Sequence, residues 1–384
     1  MNFLPKPGCL LLGLLIGTCA VATSIQEKHI AAGKYHSLFL DSNGQVWAWG
    51  DDHLPRQSGK LIPGVIMQEG RTVFTKYDGT NSFVIKHDLS LWGWGDSTYG
   101  ELGQKDDKHS GNTSPLTRNP LKILDQIIDV SGSKTILALK SDGSLLAWGS
   151  RGSQRGDSLK KESIIPNKVM NNISQVNSTD FHTLALAKDG TLWAWGNNQC
   201  GALGTGNKKK HIKPVKVSVA PLGKRKIVSI ATRWGESYIV ADDGSVWHFG
   251  EFNIDQPECS GPDYLLPTRL DTIDNVQEVA LGKYHELFLK KDGSVWASGY
   301  YEGAGASDAK YRSVHKITDN VKEISAGQRH SMILKNDGTV WTWGNNMSGQ
   351  LGNGTIQTSY IPVQVHFPTP SAYESLKQVE NRTD

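Results

Sequence analysis

The sequence predicts an all-β chain folded as a seven-bladed β-propeller with four short strands in each blade. Three observations lead to this prediction. A tryptophan-rich strand ending in glycine recurs along the chain, an Asn-Gly or Asp-Gly pair usually precedes it, and a proline-containing strand usually follows it. Self-similar units of this length are typical of propellers and solenoids, and several short strands in every unit favour the propeller.

The repeat becomes visible when the glycines that end the tryptophan-rich strands are aligned. These glycines are Gly50, Gly95, Gly149, Gly196, Gly250, Gly299 and Gly344. By subtraction, successive members are 45 to 54 residues apart. Counting back fourteen residues from each one needs no insertion and reaches His36, Asn81, Thr135, His182, Glu236, His285 and His330. The chain therefore holds seven copies of one unit.

The strands of a unit can be justified in order. After the position held by His36 comes a short alternating apolar run, such as "SLFL" at 37–40. An Asn-Gly or Asp-Gly turn follows in six units, because a type I′ hairpin needs φ > 0 at both turn residues; the second unit has Asp88-Leu89 instead. The tryptophan strand comes next. A strand such as "IPVQV" at 361–365 ends the unit, and its proline indicates a sheet edge.

Paired tryptophans are explained by the position of a blade between two others. In "QVWAWG" at 45–50, Trp47 and Trp49 point to the same face of the strand because side chains alternate. Such rings can fill the wedge between radiating blades, and burial of each contributes about 2–3 kcal/mol. Eleven of the twelve tryptophans lie on this strand. We therefore assign them to packing, and Trp234 is the exception.

The unit resembles the repeat of the regulator of chromosome condensation family. The seventh copy, "ISAGQRHSMILKNDGTVWTWGNNMSGQLGNGT" at 324–355, has the family order of glycine, His-Ser, apolar strand, Asp-Gly, Val-Trp-x-Trp-Gly and Gly-Gln-Leu-Gly. The match covers about residues 27–366 and implies a seven-bladed propeller. Only the second, fourth and seventh units keep the Gly-x-Leu-Gly tail. The resemblance also implies that the last strand completes the first blade; blades that coincide with repeats are the alternative.

Three segments are expected: a signal peptide at 1–22, the propeller at 23–366 and a short tail at 367–384. Lys6, an apolar run from Cys9 and the Ala20-Val21-Ala22 site form the signal pattern. It predicts export to the periplasm or the extracellular space. Thr18-Cys19 is a poor site for lipid anchoring, and no other stretch could span a membrane.

Two cysteines, Cys200 and Cys259, lie outside the signal segment. Both follow the terminal glycine of neighbouring units, and an oxidising compartment allows them to form a disulfide. Two unpaired thiols are the alternative. Their spacing does not fit a zinc site, and the sequence indicates no metal and no cofactor.

The residues do not indicate an enzyme. His36, His182, His285 and His330 recur with the structural period, so we interpret them as hydrogen-bonding residues that stabilise turns rather than as catalysts. The sequence contains no Gly-x-Ser-x-Gly, His-Glu-x-x-His or phosphate-loop motif. A net charge of +3 is too small to predict a nucleic-acid footprint.

Binding is the better hypothesis, and the turn just before the histidine position varies between units while its surroundings hold steady. In a propeller these turns surround the central channel on one face, so their side chains are available to a partner. Aromatic residues and arginine are frequent in binding hot spots. The predicted partner-binding set is Lys34, Tyr35, Lys134, Phe181, Arg233, Trp234, Lys283, Tyr284 and Arg329.

We therefore expect a monomeric, secreted or periplasmic module that binds another protein through one propeller face. Within the resembling family, secreted bacterial relatives include a protein inhibitor of β-lactamases, which fits an inhibitor- or scaffold-like role. Two alternatives remain open: a lectin-like propeller that binds carbohydrate, and an exchange factor for a small GTPase, as in the founding members of the family. Turn aromatics in only four of seven units weaken the lectin hypothesis.

Overall fold

The computed structural model describes residues 27–51, 61–103, 116–150, 155–157, 163–251, 259, 264–305 and 312–368. The predicted signal peptide and nearly all of the predicted tail lie outside these residues. The described residues form seven antiparallel sheets of four strands each. The prediction of an all-β seven-bladed propeller is therefore confirmed. We number the blades 1 to 7 in chain order.

The first two strands of each blade form its inner half. The innermost strands, which contact one another around the central axis, are β1 (Ile30–Ala32), β5 (Gly70–Thr75), β9 (Ile127–Gly132), β13 (Ile173–Ser178), β17 (Ile227–Arg233), β21 (Val276–Leu281) and β25 (Val321–Ala326). The second strands are β2 (His36–Leu40), β6 (Ser82–Lys86), β10 (Thr135–Lys140), β14 (His182–Ala187), β18 (Glu236–Ala241), β22 (His285–Lys290) and β26 (His330–Lys335).

The third and fourth strands form the outer half. The tryptophan strands are β3 (Val46–Gly50), β7 (Leu91–Asp96), β11 (Leu145–Gly149), β15 (Leu192–Gly196), β19 (Val246–Gly250), β23 (Val295–Gly299) and β27 (Val340–Gly344). The outermost strands are β4 (Gly64–Met67), β8 (Leu116–Leu124), β12 (Ser163–Met170), β16 (His211–Lys216), β20 (Thr268–Arg269), β24 (Arg312–Thr318) and β28 (Ser359–Gln364). Two single-turn 3₁₀ helices, Ala220–Leu222 and Glu302–Ala304, lie wholly within the described residues.

The Asp-Gly turns also hold the first tryptophan of the strand that follows in blades 5, 6 and 7. In blade 5 the Asp243 carboxylate accepts the Ser245 backbone N–H at 2.9 Å, and the Ser245 hydroxyl accepts the indole N–H of Trp247 at 2.9 Å. Blade 2 has leucine where the other turns have glycine, and Leu89 adopts a left-handed φ of 65°. This turn is the one that the sequence analysis identified as irregular.

The second tryptophan of each pair fills the space between blades, as predicted. Trp49 and Trp343 have no exposed surface, and their indole N–H groups donate to Gln350 O at 2.8 Å and Gly303 O at 2.9 Å. Each acceptor lies in the loop after the third strand of the preceding blade. One indole therefore contributes both apolar area and a bond across the blade interface.

The predicted closure of the ring is wrong. Strand β28 pairs with β27 of its own blade, with Trp341 opposite Gln364, and blade 1 takes all four strands from the first repeat. The blades thus coincide with the repeats, which was the alternative. Because no strand is shared between the chain ends, the ring has to close through contacts between complete blades.

The residues that flank the propeller supply some of those contacts. Phe367, just after β28, packs its ring on blade 1, with centroids 4.9 Å from Phe39 and 5.3 Å from Trp47. Before β1, Lys28 forms an ion pair with Glu278 of blade 6, and the His29 N–H donates to Glu323 of blade 7 at 2.8 Å. Phe367, assigned by sequence to the tail, is therefore partly buried and packs against the core of blade 1.

Cys200 and Cys259 form a disulfide, with Cα atoms 5.1 Å apart. It joins the loop after β15 in blade 4 to the loop after β19 in blade 5. Of the two alternatives left open by the sequence, the structure shows the bonded pair.

Candidate partner-binding face

The recurring histidines lie directly beneath the face that the sequence analysis selected. Each one begins a second strand, and its Nε2 contacts a serine hydroxyl in the next blade at 2.8–3.0 Å. The four pairs are His36–Ser82, His182–Ser237, His285–Ser331 and His330–Ser37. We call these pairs the blade clasps. The histidines are hydrogen-bonding residues as predicted, but they connect blades instead of stabilising turns.

The direction of the bonds in a clasp follows from the serine. The Ser37 hydroxyl donates to Gln350 O at 2.8 Å, so the bond between Ser37 and His330 must use a proton on Nε2 of the histidine. Burial lowers the pKa of His330 to about 3, and the ring is neutral at physiological pH. A Cβ at Gly327 would lie 2.5 Å from Cε1 of His330, which explains the glycine three residues before it.

Arg233 is a correction to the predicted partner-binding set. It occupies the position of that glycine in blade 5 but is 4% exposed. Its guanidinium pairs with Glu236 and with Glu286 of blade 6. Burial alone would lower the pKa of Arg233, but the two carboxylates raise it. These two glutamates stand where a clasp has histidine and serine, so Arg233 bridges blades and is not at the surface.

The turns that join the first and second strands all open on one face. Their residues are 33–35, 76–81, 133–134, 179–181, 234–235, 282–284 and 327–329, and we call this set the turn ring. A cavity of about 260 Å³ lies among them. Every turn contributes to its lining, which consists of Lys34, Tyr77, Asp78, Lys134, Asp180, Phe181, Trp234, Lys283 and Gln328. The predicted convergence of the turns is observed.

Blade 2 partly covers the mouth of the channel because its turn is the longest of the seven. The Tyr77 hydroxyl accepts the Trp234 backbone N–H of blade 5 at 3.0 Å. The Lys76 ammonium donates to the Asn177 side chain of blade 4 at 2.9 Å. Burial lowers the pKa of Lys76 to about 8. The floor of the cavity is thus fixed by bonds that cross the channel.

Two carboxyl groups in the cavity have different environments. Asp180 accepts the Lys134 backbone N–H at 3.0 Å and pairs with its ammonium at 3.4 Å. Oδ1 of Asp78 is buried without a hydrogen-bond partner among the described residues. Burial and the nearby Asp180 raise the pKa of Asp78 to about 7, although Lys76 and Lys134 oppose this.

Aromatic side chains pack against one another on this face, both between blades and within one blade. The rings of Phe181 and Trp234 lie 5.4 Å apart, while Tyr35 is 37% exposed. Tyr284 lies 5.0 Å from Tyr301. The face thus combines flat apolar surfaces with the ammonium groups of Lys34, Lys134 and Lys283.

Eight of the nine predicted residues belong to this face, and sequence reasoning missed several others. Tyr77, Asp78, Asp180 and Gln328 line the cavity and lie in the turns from which the predicted set was chosen. Tyr301 comes instead from the loop after β23. Because β22 and β23 are antiparallel, with His285 opposite Gly299, the loop after β23 must lie on the same face as the turn before β22. The hairpin predicted from the sequence would therefore have been enough to place Tyr301 on this face.

Among the described residues, no three side chains of histidine, cysteine or acidic type are placed to hold a metal ion. That part of the chain also contains no helix long and apolar enough to cross a bilayer.

Comparison with known proteins identifies the repeat. One model of the regulator of chromosome condensation (RCC1) repeat matches residues 28–54, 173–202 and 321–350. A second model of the same repeat matches residues 189–234 and 337–379. The matched segments include the clasp histidines of blades 1, 4 and 7.

Similar proteins are found among eukaryotic signalling and regulatory proteins. The Ultraviolet-B receptor UVR8 of Arabidopsis thaliana is 27% identical over 293 residues, which are 71% of this chain and 64% of the receptor. The guanine nucleotide exchange factor SRM1 of Saccharomyces cerevisiae is 24% identical over 62% of this chain and 58% of its own. The probable E3 ubiquitin-protein ligase HERC6 of Homo sapiens is 29% identical over 70% of this chain. The match spans only 28% of HERC6, so this chain covers less than two thirds of each of these relatives.

Solved structures show the same fold. Prp20p of Saccharomyces cerevisiae, described with its binding to Gsp1p and histones, has a TM-score of 0.70 and 20% identity over 86% of this chain and 87% of its own. Human WBSCR16 has a TM-score of 0.68 and 21% identity over 80% and 85%. The chain is therefore a seven-bladed β-propeller that carries regulator of chromosome condensation repeats.

Proposed function

We propose that this chain is an exported, non-enzymatic module that binds another protein through the turn ring. The observation that carries the proposal is the cavity at the channel mouth, which is lined by residues from all seven turns. A surface that each blade helps to build suits a partner much larger than a metabolite, because the contacts are spread over the whole face.

The chemistry of the turn ring supports a protein partner. Tyr35, Phe181, Trp234 and Tyr284 present aromatic surface beside lysines, and aromatic residues carry much of the energy of protein interfaces. Prp20p, which has the same fold, is described as binding Gsp1p and histones. A carbohydrate-binding propeller would place an aromatic platform in each blade, whereas here the turn aromatics are unevenly distributed.

Export is supported by the signal pattern of residues 1–22 and by the disulfide between Cys200 and Cys259. Disulfides persist in oxidising compartments and are rare in the cytosol. Fractionation of the native host and sequencing of the mature N-terminus test this point. We expect the chain in the exported fraction, beginning just after Ala22; a cytosolic chain that begins at Met1 would contradict export.

Affinity capture from the exported fraction tests the binding role. The purified chain should retain one protein, and Tyr35→Ser should weaken the retention because it removes an exposed ring from the face. Tyr360→Ser is the matched control, since Tyr360 is also exposed (42%) but lies on β28 at the outer edge. Equal loss with both variants, or with neither, would contradict the proposed surface.

The two other classes of function give different results. A lectin would bind on a glycan array and lose this signal in Trp234→Ala. An exchange factor would accelerate nucleotide release from a small GTPase. We expect neither activity, and either one would overturn the proposed role.

A further inference from the structure

Three adjacent blades bring a cluster of cations to one side of the turn ring. Blades 1 and 6 carry the same turn sequence, Gly-Lys-Tyr-His at 33–36 and 282–285, and blade 7 between them carries Gly-Gln-Arg-His at 327–330. We call Lys34, Tyr35, Lys283, Tyr284, Tyr301 and Arg329 the basic–aromatic patch.

Backbone bonds hold these turns side by side. The Lys283 N–H donates to Gly327 O at 3.3 Å, and the Gln328 N–H donates to Gly33 O at 3.1 Å. Lys34 and Lys283 both line the cavity, with Gln328 between them in the ring. The patch is therefore a continuous surface across blades 6, 7 and 1.

Each cation in the patch lies over an aromatic ring. The Lys34 ammonium is 4.9 Å from the Tyr35 centroid, and the Lys283 ammonium is 5.0 Å from that of Tyr284. The Arg329 guanidinium lies 4.4 Å from the Tyr301 centroid and also contacts Tyr284. Such contacts stabilise a positive charge and orient it, but they leave the charge uncompensated.

No carboxylate pairs with these three cations among the described residues. The other side of the ring differs, because Lys134 there is paired with Asp180 and Asp78 adds a second carboxyl group. The face is therefore asymmetric in charge, with its uncompensated cations concentrated on blades 6, 7 and 1. A partner that brings carboxylates to this side would relieve the repulsion among like charges and form charge-assisted hydrogen bonds.

We propose that the basic–aromatic patch binds an acidic segment of a protein partner, through aspartate or glutamate side chains seated between Lys34, Lys283 and Arg329. The proposal rests on the protein-binding function argued above and adds the chemistry of the partner. Three cations on a chain of net charge +3 are too few for the multiple phosphate contacts of a nucleic-acid site. Arg329, whose guanidinium lies over two tyrosine rings, can offer a carboxylate its paired N–H groups.

The test measures fluorescence anisotropy of a fluorescein-labelled octaglutamate peptide with the full chain at low salt. The peptide should bind, and Lys283→Glu and Arg329→Glu should each weaken it about tenfold. Lys322→Glu is the matched control, because Lys322 is exposed on blade 7 near the start of β25, at the opposite end of the channel. It should change the affinity by less than about twofold.

Three results would overturn the proposal. One is equal affinity for octaglutamate in the chain and both patch variants. The second is octalysine binding as tightly as octaglutamate, and the third is a single-stranded DNA octamer binding more tightly than the peptide. The same variants should be run in the capture experiment. If the partner is lost with Tyr35→Ser but kept with Arg329→Glu, the proposed protein-binding function stands, and only the proposal that the partner contributes an acidic segment is contradicted.

Discussion

Two regions that share the same turn sequences, the blade clasps and the turn ring, differ in what their polar side chains contact. In Gly-Lys-Tyr-His at 282–285, His285 is buried and its Nε2 contacts Ser331 of the next blade at 2.8 Å, whereas Lys283 has no carboxylate partner within the described part of the chain. Four residues thus supply both a joint between blades and part of a surface. The comparison indicates that His285, which repeats with the period, joins the blades, whereas Lys283 beside it lines the cavity on the turn ring.

Replacing Arg233 should have the largest effect on folding stability, because Arg233 joins blades 5 and 6 through two buried ion pairs in place of a histidine–serine clasp. Arg233→Met leaves the buried carboxylates of Glu236 and Glu286 without a counterion, and removing one partner of such a network costs about 3–5 kcal/mol. Chemical denaturation at pH 7.5 measures this loss. If Arg233 belonged to the surface, the variant would keep its stability and lose the partner instead.

A matched variant sharpens this test. The combination Arg233→Gly, Glu236→His and Glu286→Ser copies into blades 5 and 6 the glycine, histidine and serine found at the clasps of His36, His285 and His330. It should recover most of the stability lost in Arg233→Met. Failure to recover any of it would show that the two kinds of joint are not equivalent.

His330→Ala should destabilise the fold next most strongly, since it opens the joint between blades 7 and 1. The lost bond to Ser37 and the vacated ring volume cost about 2–4 kcal/mol at pH 7.5. His366→Ala, at an exposed histidine beyond β28, is the control and should change little.

The cost of His330→Ala should also depend on pH. Burial lowers the pKa of His330 to about 3 in the folded chain, while the unfolded chain binds the proton near pH 6.5. The contribution of this histidine to stability is therefore complete above pH 6.5 and declines as the pH falls towards 3. The gap between wild type and variant should narrow by about 1.4 kcal/mol per pH unit below 6.5. A constant gap would mean that the ring is not buried in its neutral form.

Asp78→Asn should have a smaller effect on folding stability, and one of opposite sign, because Asp78 is a buried carboxyl group in the cavity and not part of a clasp. Burial and Asp180 raise the pKa of Asp78 to about 7, against the charges of Lys76 and Lys134. The folded chain therefore retains a proton that the unfolded chain loses near pH 4, and stability is lost as the pH rises between these values. Asparagine removes this cost, so the variant should be more stable by about 1–2 kcal/mol at pH 8 and equal to wild type near pH 4. Lower stability at pH 8 would contradict an unsatisfied carboxyl group.

Charge reversal on the face should have the smallest effect on folding. Lys283→Glu and Arg329→Glu remove no ion pair that the described residues form, so we expect changes within about 0.5 kcal/mol. Thermal denaturation measures this change, and it also shows whether both variants are folded for the binding experiments. A large loss of stability would place these residues with the clasps.

Most of the fold could be predicted from sequence because packing between blades imposes one period on every unit. The tryptophan pairs, the Asp-Gly turns and the proline strands each follow from local chemistry. The closure of the ring could not be predicted, because the residues of β28 are compatible with pairing to β27 and equally with pairing to a strand of the first blade. Contacts of Phe367 and Lys28 with distant blades, which no repeat pattern encodes, hold the ends together.

The face could be located from sequence, but not its internal contacts. Residue type indicates which turn residues suit binding, but type alone does not separate the buried Arg233 from Arg329 on the face. The sequence does contain one signal. Glu236 and Glu286 replace the histidine and serine of a clasp, and two buried carboxylates need a cation such as Arg233 beside them. The bond from the Trp234 N–H to Tyr77 spans 157 residues of sequence, and only the closed ring brings such residues together.

Hydrogen–deuterium exchange of the captured complex tests most directly whether the turn ring is the contact surface. We predict that partner binding slows exchange in the turns at 33–35, 282–284 and 327–329, and leaves the Asp-Gly hairpins at the opposite end unchanged. Protection confined to those hairpins or to the outermost strands, with the turns exchanging as in the free chain, would contradict the account.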